Sequence, residues 1–141
     1  EHENLEAKQI EIQKPEKGSH VLVADDNLLN QKLASRILSN LGMVVDVCSN
    51  GSIALDLVKK KTYDLIILDM QMPIMDGFEC AKNIRIFNQK TPIIAMTGST
   101  FSEDKKRAME VGMNDYLIKP IDPNSLSQTL GKWIPEQKKA D

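Results

Sequence analysis

The residues of this chain best suited to chemistry are acidic. They are the adjacent pair Asp25-Asp26, and Asp69, which follows the apolar run Leu65-Ile66-Ile67-Leu68. Carboxylates gathered in a folded domain repel one another, so a cluster of three needs a compensating charge. A hard divalent cation supplies it. Mg²⁺, or Mn²⁺ in its place, takes oxygen ligands and is satisfied by one or two carboxylates, waters and phosphate oxygens. A carboxylate can also attack phosphorus and form an aspartyl phosphate. Two more residues would complete such a site: Thr97 and Lys119, each placed directly after an apolar run. A transferring phosphoryl group spreads charge over its oxygens and calls for a metal, a cation and a hydroxyl donor around it. Asp69 then reads as the nucleophile, Lys119 as the cation and Thr97 as the donor. Gly98 leaves room beside Thr97, and the backbone carbonyl of Met70 offers a further metal ligand.

Each residue alone has a plainer reading. An Asp after a strand commonly caps a turn, Asp26-Asn27 could cap a helix, Thr97 could end a strand, and Lys119 could be a solvated lysine. Their shared position after separate apolar runs favours the site, provided that the runs end on one rim.

The chain pattern meets that condition. Residues 21–24, 65–68, 93–96 and 116–118 are short apolar runs, and 43–47 is strand-like. Helical spacing follows each run. Leu33, Ala34, Ile37, Leu38 and Leu41 share a face closed by Gly42, and Asn50 caps a helix with Ile53, Ala54, Leu57 and Val58. A third helix carries Phe78, Ala81, Ile84 and Phe87. The fourth starts at Ser102 before Glu103 and Asp104, has the thinnest apolar stripe and stops at Gly112. The fifth opens on Asp122-Pro123 and carries Leu126, Leu130, Trp133 and Ile134. Five β–α repeats with all-apolar strands predict an α/β, three-layer αβα protein around a parallel sheet. In such sheets ligands sit beyond the carboxyl ends of the strands. The second run ends in Val47-Cys48 and brings no polar side chain to that edge.

Bulk properties exclude other classes. At 141 residues the chain suits one folded domain. A formal net charge of −2 suggests neither nucleic-acid nor membrane binding by the surface as a whole. No run approaches the roughly 18 apolar residues of a membrane span. Residues 1–18 read as a linker or flexible tail without a signal-peptide pattern, 19–134 as the folded domain and 135–141 as a short charged tail. Cys48 and Cys80 lack a metal-binding spacing and read as buried small residues, and His2 and His20 are isolated.

The stretches VLVADDNLLNQ, LIILDMQMPIMDG, PIIAMTG and GMNDYLIKP resemble the receiver domains of two-component phosphorelays, over nearly all of the folded part. Within that family they look most like the receivers fused to hybrid sensor histidine kinases. The resemblance implies a flavodoxin-like (βα)5 fold with strand order 2-1-3-4-5. It implies Asp69 as phosphoacceptor; Asp25, Asp26, Asp69 and the Met70 carbonyl as the metal site; Thr97 as switch hydroxyl; Lys119 as phosphate-binding amine; and Tyr116 as the rotating aromatic. Gln71 and Ser99 match positions that tune the lifetime of the phosphoryl group. The family commonly has Ala where Gly98 stands. Implied partners are the phosphohistidine domain of a kinase or a histidine phosphotransfer protein, with no nucleic acid or membrane contact, in a monomeric or weakly dimeric cytoplasmic domain. A stand-alone single-domain regulator is the alternative. A haloacid-dehalogenase-like phosphatase would want a second Asp where Gln71 stands. An FMN-binding flavodoxin would not carry an acidic first loop. A degenerate receiver used only for docking would not keep every chemical position filled.

Overall fold

Hydrogen bonding joins the five apolar runs into one parallel sheet, ordered β2-β1-β3-β4-β5. The strands are β1 (His20–Ala24), β2 (Val44–Cys48), β3 (Leu65–Asp69), β4 (Ile93–Thr97) and β5 (Asp115–Ile118). Between and after them lie α1 (Leu28–Asn40), α2 (Gly51–Lys60), α3 (Gly77–Phe87), α4 (Ser102–Glu110) and α5 (Pro123–Trp133). The computed structural model describes residues 15–98 and 102–136. The expected linker up to residue 14, most of the C-terminal tail and Ser99 therefore lie outside the described residues. Among these residues, no helix is long and apolar enough to cross a membrane.

Side-chain alternation along the strands builds two cores. Leu22, Ala24, Ile66, Leu68, Ile93 and Ala95 pack with Ala54, Ala81, Ile84 and Ala108, so α2, α3 and α4 cover one face. Val21, Val23, Leu65, Ile67, Ile94, Met96 and Leu117 pack with Ala34, Leu38, Leu126 and Leu130, so α1 and α5 cover the other. Side-chain caps start four helices. Asn27, Asn50, Asp76 and Asp122 accept from the backbone N–H groups of Asn30, Ile53, Glu79 and Ser125. The expected caps at Asn50 and Asp122 are therefore present. Gly42 and Gly112 take left-handed backbone at φ +89 and +95 where two helices end.

The structure departs from the sequence pattern in detail. The second strand is Val44–Cys48, one residue later than expected, and Met43 is buried in the turn before it. Leu33, Ile53 and Phe87, expected on buried helix faces, are substantially exposed. For Leu33 the reason is topological. Since β2 is an edge strand, no further layer among the described residues covers that flank of α1. Near the amino ends of the strands, the segment before β1 meets the one after α5. Pro15 bridges Pro135, and the Glu16 N–H donates to the Ile134 carbonyl at 2.8 Å.

Candidate functional site

The parallel register brings the carboxyl ends of β1, β3, β4 and β5 to one rim. Ala24 is level with Leu68, Asp69 with Met96, and Thr97 with Ile118. The residues that follow line a cleft of about 980 Å³, whose walls include Asp26, Asp69, Met70, Thr97, Gly98 and Lys119. One carboxylate oxygen from each of Asp25, Asp26 and Asp69 lies within 4.8 Å of the other two. The expected acidic cluster is thus assembled from two strand ends.

The three acids are not equivalent. Asp25 is buried, Asp26 is exposed on the cleft, and Asp69 is buried at the end of β3. The Asp25 Oδ1 accepts the Asn27 N–H at 2.9 Å, which turns the chain into α1. Its Oδ2 is buried without a hydrogen-bond partner among the described residues. That atom faces the Lys119 ammonium at 3.5 Å. Lys119 Nζ donates to Asp69 Oδ2 at 2.5 Å, and the Asp69 Oδ1 accepts the Gln71 N–H at 3.1 Å. Burial pushes the Asp69 carboxyl above the usual carboxylate range, and the Asp25 charge adds to the rise. The Lys119 and Gln71 hydrogen bonds and the Lys119 charge pull the other way without cancelling it. Buried acids sharing one cation, with an orphaned oxygen among them, fit a hard divalent ion.

Local sequence explains how these groups are held. Lys119 continues β5, its N–H donating to the Thr97 carbonyl at 2.8 Å, and the peptide bond to Pro120 is cis. A Cβ on Gly77 would lie 2.3 Å from the Asp69 carbonyl oxygen, so only glycine lets α3 begin this close to the end of β3. Gly98 differs. Among the described residues a Cβ there would meet nothing within 4 Å, so none of them makes the room beside Thr97 depend on glycine. Thr97 is buried at the end of β4. The Met70 carbonyl accepts the Gly77 N–H at 3.3 Å, which turns it towards α3.

Tyr116 is half-buried on β5, level with Ala95 and packed against the core under α2, α3 and α4. Sequence reasoning missed the groups around it. Lys105 of α4 stands over the Tyr116 ring at 4.3 Å from its centroid, and Arg107 stands over Phe78 of α3 at 3.9 Å. Gln31, in the VLVADDNLLNQ stretch, ties β1 to β2 by donating to the Asp25 carbonyl at 2.6 Å and the Cys48 carbonyl at 3.4 Å. Arg85 holds the turn before β5 through the Gly112 carbonyl and Asn114 Oδ1, both at 2.8 Å. Nothing in the residue types of Lys105, Arg107 or Arg85 marks them for these contacts.

The response regulator receiver domain family matches residues 21–131. Hybrid signal transduction histidine kinase K of Dictyostelium discoideum is 35% identical over 134 residues, covering 89% of this chain. The chain spans only 11% of that relative's length. The receiver domain of sensor histidine kinase PA1611 from Pseudomonas aeruginosa, solved with a magnesium ion in its active-site cleft, is 33% identical with a TM-score of 0.78. That match covers 83% of this chain and 98% of the other. The receiver domain of Saccharomyces cerevisiae Ssk1, solved with the histidine phosphotransfer protein Ypd1, is 31% identical with a TM-score of 0.79. It covers 86% of this chain and 90% of that one. With sheet order, acidic cluster and sequence in agreement, this chain belongs to the response regulator receiver domain family.

Proposed function

We propose that Asp69 accepts a phosphoryl group from the phosphohistidine of a partner. The observation that carries this reading is the Lys119 ammonium, held between the Asp69 and Asp25 carboxylates at the floor of an open cleft. An Asp69 carboxylate oxygen forms a bond to phosphorus as the bond from phosphorus to the imidazole nitrogen breaks, and the electron pair returns to the ring. Lys119 then faces the new phosphoryl oxygens, and the Thr97 hydroxyl closes on them from β4. Asp26 and Asp69 would hold the metal directly, and Asp25, being buried, would act through water. For the carbonyl ligand, Gln71 is preferred to Met70. The Met70 carbonyl is engaged by Gly77, whereas Gln71 lines the same cleft one residue on. When bound, Mg²⁺ or Mn²⁺ supplies positive charge against the phosphoryl oxygens. Thr97 and Tyr116 form the switch: Thr97 moves towards the phosphoryl group and the ring turns inward behind it.

The partner surface is the bare flank of α1. Leu28, Leu29 and Leu33, with Val47 of the edge strand, are exposed beside Lys32 and Arg36. This apolar patch lies beside the cleft and suits a phosphohistidine-bearing kinase domain or phosphotransfer protein; the similar Ssk1 receiver was solved with such a protein, Ypd1. The reading places the chain in the cytoplasm, as one domain of a hybrid histidine kinase, with a stand-alone regulator as the alternative.

Incubation with acetyl phosphate and Mg²⁺ should give a hydroxylamine-labile adduct seen by mass spectrometry, absent in Asp69→Asn. An adduct that survives the substitution unchanged defeats the assignment. Leu29→Glu should slow transfer from a phosphorylated histidine phosphotransfer protein about tenfold or more, while acetyl phosphate uptake stays unchanged, because interface anchors commonly contribute a tenfold change or more. Equal slowing of both reactions would place Leu29 in the folding of the site instead.

A further inference from the structure

Helix α4 is held to the domain differently from its neighbours. Among its residues whose side chains are described, only Ala108 is buried. Its sequence there is otherwise dominated by charge, with Glu103, Asp104, Lys105, Lys106, Arg107 and Glu110. Two cations on separate sides of the helix grip aromatic rings instead. Arg107 lies on Phe78, which is buried at the start of α3, and Lys105 lies on Tyr116 of β5. Phe78 is fixed in the core, while Tyr116 is only half-buried. The Lys105 contact is therefore the one that a turn of the ring would break.

We infer that Lys105 is a positioning residue for Tyr116: its ammonium holds the ring in the outward, half-buried place and so sets the threshold of the switch. A cation over a ring face is attracted by the ring quadrupole, and at a partly solvated site this contact is worth a few-fold in an equilibrium. Turning the ring inward must give the contact up. Phosphorylation of Asp69 must therefore overcome it, and a chain without the Lys105 charge would switch more readily. This rests on the proposed role of Thr97 and Tyr116 as a coupled switch.

The test uses beryllofluoride with Mg²⁺ as a phosphoryl mimic, and reads the Tyr116 ring resonances by NMR together with the mimic's affinity. In the unsubstituted chain the Tyr116 signals should move on saturation. Lys105→Met keeps the length and apolar stem but removes the charge. It should shift the resting Tyr116 signals part of the way towards the saturated position and tighten beryllofluoride binding about two- to fivefold. Lys105→Arg, which restores a cation over the ring, should return both readings towards those of the original chain. A role limited to packing α4 would not produce that rescue. If Tyr116 moves on saturation but Lys105→Met leaves its resting signals and the affinity unchanged, the positioning role is wrong and the switch stands. If Tyr116 does not move in the unsubstituted chain, the switch itself is wrong.

Discussion

Lys119→Met should lower the unfolding free energy by about 2–3 kcal/mol at neutral pH, somewhat less than the full effect of breaking a buried ion pair because the lysine is partly solvated. The ammonium is the charge that Asp25 and Asp69 share, at 3.5 and 2.5 Å. Removing it leaves two buried carboxylates facing each other, with the Asp25 Oδ2 already lacking a hydrogen-bond partner. One of the acids must then take up a proton or the site must open to water. A second substitution should rescue the first: Lys119→Met with Asp25→Asn should regain more than half of the loss, since it removes one of the two stranded charges. Urea unfolding of the single and double variants checks this. A double variant no more stable than the single one would mean that lost lysine packing, not stranded charge, causes the damage. Phosphoryl uptake should not return with stability, because the cation that faces the phosphoryl oxygens is still missing.

Much of this arrangement was legible in the sequence because it follows from strand ends. An apolar run four residues long fixes where a buried parallel strand stops, and the next residue reaches the rim whatever the helices do. Asp25, Asp69 and Thr97 were found that way, and Lys119 by the same logic on β5. The Asn50 and Asp122 caps were legible because a short polar side chain before a helical pattern has a specific backbone donor to satisfy. Helix flanks were harder. Periodicity shows which residues share a face but not whether a neighbouring layer extends far enough to cover it. Leu33 is left bare beyond the edge strand for that reason. Peptide orientation leaves no mark in residue type either, so the engagement of the Met70 carbonyl by Gly77 was invisible. Charged residues were the most deceptive. Arg85, Lys105 and Arg107 look like a solvated helix surface until the fold places carbonyls or aromatic rings beneath them.

Asp69→Asn should make the metal-free protein more stable at neutral pH. The sign follows from the carboxyl's environment. Burial, with a small addition from Asp25, raises the Asp69 pKa despite the Lys119 contact, so the charged form is less favoured in the fold than in water. As pH climbs, the unfolded chain releases this proton first, near the ordinary carboxylate value of about 4. Between that point and the raised value in the fold, the native state binds more protons, and stability falls with pH. Above the raised value the loss is complete and constant. Asparagine cannot ionise and escapes it, so the advantage of the variant should grow across this window and vanish in acid below it. Millimolar Mg²⁺ should reverse the ranking. An ion that binds only the native state stabilises by mass action, about 1.4 kcal/mol at ten times its dissociation constant, and the variant lacks one of the carboxylates that would hold it. Urea unfolding from pH 4 to 8, with and without Mg²⁺, separates the two effects. If Asp69→Asn proved less stable in the absence of metal, the Lys119 pairing would outweigh burial, and Asp69 would be a structural ion-pair partner instead of a carboxylate held in a destabilised, reactive state.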